Sequence, residues 1–187
     1  MTTFNIYDET NAPEKSRPFL AKSKAAYGSV PNVLGELAES PAALEGYMTL
    51  SEIFIKSSLA PAEKHLVLLT ASVENECKYC VAAHTGLAKV AGLPGHAIMS
   101  VRDDEEIEDE DRLEALREFT RKIVIERGDV GEKAVAAFLE AGYTKANVLE
   151  VILGVALKTM SNYTNHIAET PVDASFIINK WTPPGKG

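Results

Sequence analysis

Apolar residues recur at intervals of three and four positions along most of the chain, and this spacing predicts α-helices rather than strands. Several of the apolar runs begin just after a proline or a threonine, and several end at a glycine, as helices commonly do. Because no segment shows convincing period-two alternation, we predict an all-α helical bundle of about eight helices. The predicted helices cover residues 15–27, 33–40, 41–55, 61–74, 77–91, 109–127, 130–140 and 144–160.

The predicted helix 61–74 is apolar on more than one side, through the consecutive residues 66–69. A helix on a protein surface needs only one apolar face. We therefore expect this helix either to be central in the bundle or to face another subunit, and we predict a homo-oligomer.

The whole chain, residues 1–187, is predicted to form one domain, which is long enough to bury a core without disulfide bonds. We predict an extended arm at residues 1–13 and a loose C-terminal end at residues 182–187. Residues 102–111 are rich in carboxylates, and we interpret them as a solvated loop that leads into the next helix.

The fractions of hydrophobic residues, 45%, and charged residues, 25%, are typical of a soluble globular protein. The net charge of −8 argues against nucleic acid and anionic membrane surfaces as partners, since both select basic patches. The longest apolar run, 151–157, is far shorter than the ~20 residues of a membrane-spanning helix. The N-terminus also lacks the basic start and apolar centre of a signal peptide. We therefore expect a cytoplasmic protein with no membrane segment, in which a Cys-x-x-Cys motif is more often catalytic or metal-binding than structural.

Both cysteines of the chain and one of its four histidines fall within eight positions, as Cys77, Cys80 and His84. On a helix, spacings of three and four place side chains on one face, about one turn apart. Asn75 is the expected break between the two helices of a hairpin, because its side chain competes for backbone hydrogen bonds. Cys77 is then predicted in the first turn of the second helix, where free amide groups and the helix dipole stabilise a thiolate.

Two thiols and an imidazole at this spacing suit the reduction of a hydroperoxide. A thiolate attacks the terminal oxygen to give a sulfenic acid, and a second thiol one turn away condenses with it to a disulfide. An imidazole beside the attacking sulfur accepts its proton. Spacing leaves open which sulfur attacks, because the helix dipole favours Cys77 and the histidine favours Cys80.

Three other uses of the motif were weighed. A structural zinc site normally takes four ligands, and the chain has no second Cys-x-x-Cys. Haem attachment requires a histidine directly after the second cysteine, where this chain has Val81. A thioredoxin-type motif follows a strand, whereas the segment before this motif is predicted to be a helix. Two cysteines buried as small apolar residues remain an alternative.

The spacing Cys-x-x-Cys-x-x-x-His, the run Tyr-Cys-Val-Ala-Ala-His at 79–84 and the Ala-Gly ending at 91–92 form a specific pattern. On these residues the segment 59–92 resembles the core of the AhpD-like alkylhydroperoxidases, within the carboxymuconolactone decarboxylase family. The resemblance implies an all-helical fold that forms trimers or hexamers. It also implies that Cys80 is the peroxidatic cysteine, Cys77 the resolving cysteine and His84 the histidine of the proton relay.

The chain departs from the family pattern at two positions. The best-known AhpD-like members carry a glutamate twelve residues before the first cysteine, where this chain has His65, and a histidine between the cysteines, where it has Tyr79. His65 is therefore a candidate relay residue that passes a proton but supplies no fixed negative charge. Glu63, Glu74 and Glu76 are the nearby carboxylates that could substitute, and the sequence does not choose among them.

We predict a cysteine-dependent peroxidase of alkyl hydroperoxides or hydrogen peroxide, with a redox core at about residues 41–125. As the resemblance implies, the disulfide would be recycled by a dithiol reductant such as a lipoyl or thioredoxin-like protein, and no cofactor or metal is expected. One alternative is a lactone decarboxylase of the wider family, although those members generally lack the cysteine pair. The other is a non-enzymatic dithiol redox sensor that lacks an efficient relay.

Overall fold

The computed structural model describes residues 4–185, and these residues form nine α-helices, two short 3-10 helices and no strand. The predicted all-α fold is therefore confirmed. The 3-10 helices are Glu14–Ser16 and Ala174–Asn179. The α-helices are α1 (Arg17–Tyr27), α2 (Asn32–Leu37), α3 (Pro41–Ile55), α4 (Pro61–Glu74), α5 (Lys78–Val90), α6 (Gly95–Asp103), α7 (Asp111–Ile125), α8 (Gly131–Glu140) and α9 (Lys145–Ala168).

Local sequence explains where the functional helices begin. Helices α3 and α4 both start with a proline, whose fixed φ and missing amide proton suit the first helical position. Thr144 caps α9: its hydroxyl accepts a hydrogen bond from the amide of Asn147, and the Asn147 side chain accepts one from the amide of Thr144. These signals fix the starts of the helices that carry the site.

Helix α4 is the centre of the bundle. Its residues Leu66 to Val73 are all buried, and it packs against α3, α5, α6, α7 and α9. Of the two explanations for an all-round apolar helix, the central position is therefore the one observed. The apolar surface of α4 is buried within the chain, so it supplies no argument for a subunit contact.

The structure differs from the predicted helices at three places. No helix was predicted at α6, and the predicted loop 102–111 overlaps its end; α6 buries Ala97, Ile98 and Val101 and ends at Asp104, whose φ of 57° is left-handed. Helix α9 does not stop near residue 160 but continues to Ala168, because no proline or glycine interrupts it there. Helix α5 begins at Lys78, so Cys77 is its N-cap rather than a residue of its first turn.

The N-terminal segment is extended over residues 4–8 and packs on the same chain, where the amide of Tyr7 donates to the carbonyl of Gly35 at 3.2 Å. Residues 182–185 have no helix or strand and follow Trp181, whose indole donates to the carbonyl of Arg102 at 2.7 Å. Residues 1–3 of the predicted arm and 186–187 of the predicted loose end lie outside the described residues. Within residues 4–185 no helix combines the length and apolar character needed to cross a membrane.

Gly154 allows α9 to approach α3 and α4 closely. A methyl group at this position would lie 2.8 Å from the ring of Phe54 on α3 and 2.8 Å from a methyl group of Val67 on α4. Both neighbours are buried in the core and cannot move aside easily. The missing side chain therefore sets the distance between α9 and the centre of the bundle.

Replacing Gly154 with alanine should destabilise the protein. We expect Gly154→Ala to lower the free energy of unfolding by about 1–3 kcal/mol, because overpacking outweighs the better helix propensity of alanine. Gly46→Ala is the matched control, since a methyl group there meets only Met160, at 3.9 Å. That control should be neutral or stabilising by up to about 1 kcal/mol. Urea unfolding of both variants measures the difference, and equal stabilities would contradict the close packing of α9.

Candidate active site

The turn between α4 and α5 places the two cysteines against α9. The side chain of Asn75 donates to the carbonyl of Ala71 at 2.9 Å and to the side chain of Asn162, on α9, at 3.0 Å. The amide of Cys77 then donates to the carbonyl of Ser72 at 2.9 Å. Asn75 thus ends α4, as predicted, and it also ties the turn to α9.

Both cysteines are free thiols and almost fully buried, with Cys77 1% and Cys80 3% exposed. Cys77 is the N-cap of α5 and Cys80 lies in its first turn, so the predicted central hairpin carries the Cys-x-x-Cys motif at its inner end. Tyr79, between them, is buried and donates a hydrogen bond to Asp173. The motif is therefore enclosed by protein rather than displayed on a surface.

A C-terminal cover, residues 170–181, lies over this hairpin. The ring of Phe176 packs edge-on against Tyr79 with the ring centroids 6.2 Å apart, and Val172 and Phe176 join the apolar cluster around the cysteines. The carboxylate of Asp173 accepts from the amide of Asn32 at 3.2 Å as well as from Tyr79. These contacts hold the cover against the hairpin and α2, beside the two buried cysteines.

Helix α9 supplies polar groups to both sulfurs. The side-chain amide of Asn165 donates to Cys80 Sγ at 3.1 Å and to Cys77 Sγ at 3.5 Å. Ser161 Oγ lies 3.8 Å from Cys80 Sγ. One face of a single helix therefore provides hydrogen bonds that would stabilise a negative charge on sulfur.

Lys158 is the most unusual residue of the site, because a lysine is almost never fully buried without a partner. Its side chain is only 1% exposed, and its Nζ lies 3.0 Å from Nε2 of His84. An ammonium group can only donate, so Nε2 of His84 is the acceptor and the proton of the neutral ring lies on Nδ1. Lys158 therefore brings a positive charge into the space shared by the imidazole and the sulfurs.

The two cysteines have opposite acid strengths. Burial opposes ionisation of Cys80, but a hydrogen bond from Cys77 and the charge of Lys158 hold the pKa of its thiol well below the ordinary value. The hydrogen bond that Cys77 gives to Cys80, together with burial, raises the pKa of the Cys77 thiol. The geometry therefore favours a thiolate on Cys80 and a neutral thiol on Cys77, whereas the spacing alone left the choice open.

The two histidines predicted for the site lie side by side. The rings of His65 on α4 and His84 on α5 have centroids 5.9 Å apart and planes inclined at 46°. Burial and the charge of Lys158 lower the pKa of both, that of His84 well below its ordinary value. Both rings are therefore neutral at neutral pH. His84 is linked to the cysteines by Lys158, which donates a hydrogen bond to its Nε2.

Two of the carboxylates considered as relay groups have partners elsewhere. Glu63 accepts from Arg112 at 3.0 Å and from Tyr143 at 2.9 Å, and Glu74 pairs with Arg121 at 3.3 Å. Burial raises the pKa of Glu74 to about 7, against the opposing charge of Arg121. Neither carboxylate therefore substitutes for the relay glutamate whose position His65 occupies.

Sequence reasoning missed the contribution of α9. Val151, Lys158, Ser161 and Asn165 recur at helical spacing along one buried face of that helix. A lysine in register with an apolar stripe is the signal that could have identified Lys158 as a buried group. The predicted helix 144–160 contained Lys158 but ended before Ser161 and Asn165, so the polar part of this buried face was not recognised.

Metal binding finds no support in the geometry of the site. Within residues 4–185, no group of three or more histidine, cysteine, aspartate or glutamate side chains is arranged to hold a metal ion. An ammonium group next to His84 would also repel a cation at that ring.

The fold and the site define an all-helical protein with a buried Cys-x-x-Cys pair on a helical hairpin. Residues 41–121, which include the whole hairpin, match the model of the carboxymuconolactone decarboxylase family. The family resemblance inferred from the sequence is thereby confirmed. Comparison with curated protein sequences gives no significant match.

Solved structures with the same fold cover nearly the whole chain. An alkylhydroperoxidase AhpD core, an uncharacterized peroxidase-related protein from Ralstonia eutropha JMP134, has a TM-score of 0.83 and 20% identity, with 94% of each chain covered. A variant of the debrominase Bmp8 in complex with 2,3,4-tribromopyrrole has a TM-score of 0.79 and 13% identity, with 96% of each chain covered. An uncharacterized peroxidase-related protein from Silicibacter sp. TM1040 has a TM-score of 0.76 and 18% identity, over 94% of this chain and 97% of that one. At these identities the likeness establishes the AhpD-like fold.

Removing the charge of Lys158 should make Cys80 a weaker acid. We expect Lys158→Met to move the pH midpoint of thiol alkylation upward and to slow alkylation at pH 7 by about tenfold or more, since an ordinary thiol is only a few per cent ionised there. Iodoacetamide labelling across pH, with the labelled cysteine located by mass spectrometry, measures both effects.

The matched control for this experiment is Lys145→Met, which removes an exposed lysine from the start of the same helix. It should leave the alkylation profile unchanged. A normal profile in Lys158→Met would show that the ammonium group does not stabilise the thiolate.

Proposed function

We propose that this protein is a cysteine-dependent peroxidase in which a Cys80 thiolate reduces alkyl hydroperoxides or hydrogen peroxide. The observation that carries the proposal is that both buried thiols accept from the side-chain amide of Asn165, on the same buried face of α9 that carries Lys158. The charge of Lys158 and a hydrogen bond from Cys77 lower the pKa of the Cys80 thiol. A thiolate is the nucleophilic form of cysteine, and a buried positive charge is one of the settings that produce it. The AhpD-like fold and the family match agree with this reaction class.

The reaction divides into an attack and a resolution. In the attack, Cys80 Sγ forms a bond to the terminal peroxide oxygen, the O–O bond breaks, and the departing alkoxide takes a proton to become an alcohol. In the resolution, Cys77 Sγ attacks the sulfenic acid of Cys80, water leaves, and a disulfide forms. A dithiol, such as a lipoyl or thioredoxin-like protein, then returns two electrons and restores both cysteines.

The reaction requires the site to open. Cys77 and Cys80 are 1% and 3% exposed, so an alkyl hydroperoxide or a protein dithiol reaches them only after a local opening of the structure. The C-terminal cover is the segment that we propose moves, because its Val172 and Phe176 pack on the apolar cluster that contains both cysteines. Its polar contacts, among them the hydrogen bond from Tyr79 to Asp173, would break in this opening.

A second candidate is a dithiol redox protein with little peroxidase turnover. It is favoured by one observation: His65 stands at the position of the family relay glutamate, and Nδ1 of both His65 and His84 has no hydrogen-bond partner within residues 4–185. An imidazole pair without a carboxylate holds a proton weakly. Reversible disulfide formation with negligible peroxide consumption would identify this second function.

A homo-oligomer remains part of the proposal. The outer face of α9 exposes Leu149, Ile152, Tyr163 and Ile167 at helical spacing, which is an apolar stripe of the kind that subunit contacts cover. We expect a trimer or hexamer, as the family resemblance implies. Light scattering coupled to size-exclusion chromatography gives the mass, and a monomer at micromolar concentration would contradict the expectation.

Cysteine variants test the proposed reaction directly. Cys80→Ser should abolish peroxide consumption, because the attacking sulfur is lost. Cys77→Ser should still react once but accumulate sulfenic and then sulfinic acid on Cys80, because the resolving thiol is missing. Stopped-flow measurements with hydrogen peroxide and an alkyl hydroperoxide, followed by mass spectrometry of the oxidised protein, separate the two variants. Turnover by Cys80→Ser at the unmodified rate would refute the proposal.

A further inference from the structure

Lys158 carries a buried charge whose counter-charge exists in only one redox state of the protein. The contact of its Nζ is with a neutral imidazole, at 3.0 Å, and none of the ion pairs within residues 4–185 includes it. Its side chain is 1% exposed, so water does not replace a missing partner. Ser161, one turn after Lys158 on the same buried face of α9, lies 3.8 Å from Cys80 Sγ, so the thiolate of Cys80 is the anion placed to balance this ammonium.

Titratable groups from three other helices surround Lys158. Four of them are neutral at neutral pH: burial raises the pKa of the Tyr47 phenol, burial lowers the pKa of both imidazoles, and the hydrogen bond to Cys80 raises that of the Cys77 thiol. Only the fifth, Cys80, is negative. The surrounding groups are Tyr47 on α3, His65 on α4, and Cys77, Cys80 and His84 at or within α5.

We propose that Lys158 is the proton donor and acceptor of the proposed peroxidase reaction, charged while Cys80 is a thiolate and neutral once Cys80 is bonded to Cys77. The inference rests on the proposed function. A disulfide has no charge, so its formation leaves the buried ammonium with a neutral imidazole as its contact and no counter-charge. Buried lysines in such surroundings lose their proton.

The proton of Lys158 has a defined place in each step. When Cys80 Sγ attacks the hydroperoxide, the S–O bond forms, the O–O bond breaks, and the alkoxide takes a proton from the ammonium to leave as an alcohol. Lys158 is then a neutral amine beside the sulfenic acid. The departing oxygen is neutralised by a group already at the reacting sulfur, so no carboxylate–imidazole relay is required.

The same amine then serves the resolution. It takes the proton of the Cys77 thiol, Cys77 Sγ attacks Cys80 Sγ, the S–O bond breaks, and the departing hydroxide takes that proton to become water. The products are a disulfide and a neutral lysine. Reduction by an external dithiol returns two electrons and two protons, one to the Cys77 thiol and one to the Lys158 amine, and restores the thiolate on Cys80.

This assignment predicts the pH dependence of the disulfide potential. If the lysine gains a proton on reduction, the two-electron reduction takes up two protons, and its equilibrium constant falls about a hundredfold per pH unit, or about 59 mV. If the lysine stays charged, only the Cys77 thiol takes up a proton, and the fall is about tenfold, or about 30 mV, per pH unit. Equilibration of the purified wild-type protein in dithiothreitol buffers between about pH 6 and 8, referred to the hydrogen electrode, distinguishes the two slopes.

Lys158→Arg supplies the comparison, because a guanidinium keeps its charge in both redox states. We expect the potential of this variant to change by about 30 mV per pH unit, half the wild-type slope. Lys145→Met, on the same helix but exposed, should keep the wild-type slope. Should Lys158→Arg fail to fold, the wild-type slope decides the matter alone.

The outcomes separate this inference from the proposed function. A wild-type slope of about 30 mV per pH unit, together with a Cys80 that alkylates as a thiolate, would overturn the proton-transfer role of Lys158 and leave the peroxidase proposal standing. A slope of about 59 mV with a Cys80 thiolate supports the role, whether or not peroxide is consumed. A Cys80 that alkylates as an ordinary thiol would overturn both.

Discussion

The site depends on one electrostatic constraint: a lysine and a cysteine that are both cut off from water must carry opposite charges or none. Lys158 comes from α9 and Cys80 from α5, so the pair connects the longest helix of the protein to the hairpin at its centre. In a low-dielectric interior such a pair is held much more strongly than at a surface, and breaking it by removing one partner is costly. The acidity of Cys80 is thus a property of the tertiary structure rather than of the Cys-x-x-Cys motif.

The remaining contacts of the site make the two sulfurs chemically different. Asn165 donates to both, but the shorter bond, at 3.1 Å, is to Cys80. Cys77 directs its own proton at Cys80 and is thereby kept neutral. Asn75 fixes the turn to α9 through Asn162, so the relative positions of thiols and lysine are set by hydrogen bonds on both sides. The two sulfurs therefore differ in acidity, as the proposed division into an attacking and a resolving cysteine requires.

Local signals were enough to predict the helices and the hairpin. The proline at residue 61, the apolar run of α4 and the polar break at Asn75 gave α4 its observed bounds, Pro61–Glu74, because each signal acts within a few residues. Helix α6 was missed, since its nine residues carry a short apolar pattern next to an acidic stretch that suggested a loop. The end of α9 was misplaced because polar residues that normally face water, such as Ser161 and Asn165, are buried there by contacts with α5.

The candidate site was predictable only in part, because some of its residues are close in sequence and others are not. Cys77, Cys80 and His84 are close in sequence, and helical spacing alone brings them together. His65 and Lys158 come from other helices, and which groups meet across a bundle depends on how closely the helices pack. The choice between the two sulfurs followed from this long-range contact, since helix geometry favoured Cys77 and the buried charge favours Cys80.

Gly154, one helical turn before Lys158, gives this packing a chemical consequence. Because no side chain separates α9 from Phe54 and Val67, the helix lies directly against the core at this point. Lys158 follows one turn later on the same buried face, so the depth at which its ammonium lies depends on this close approach. Any change that pushed α9 away from the core at Gly154 would therefore displace a buried charge as well as a helix.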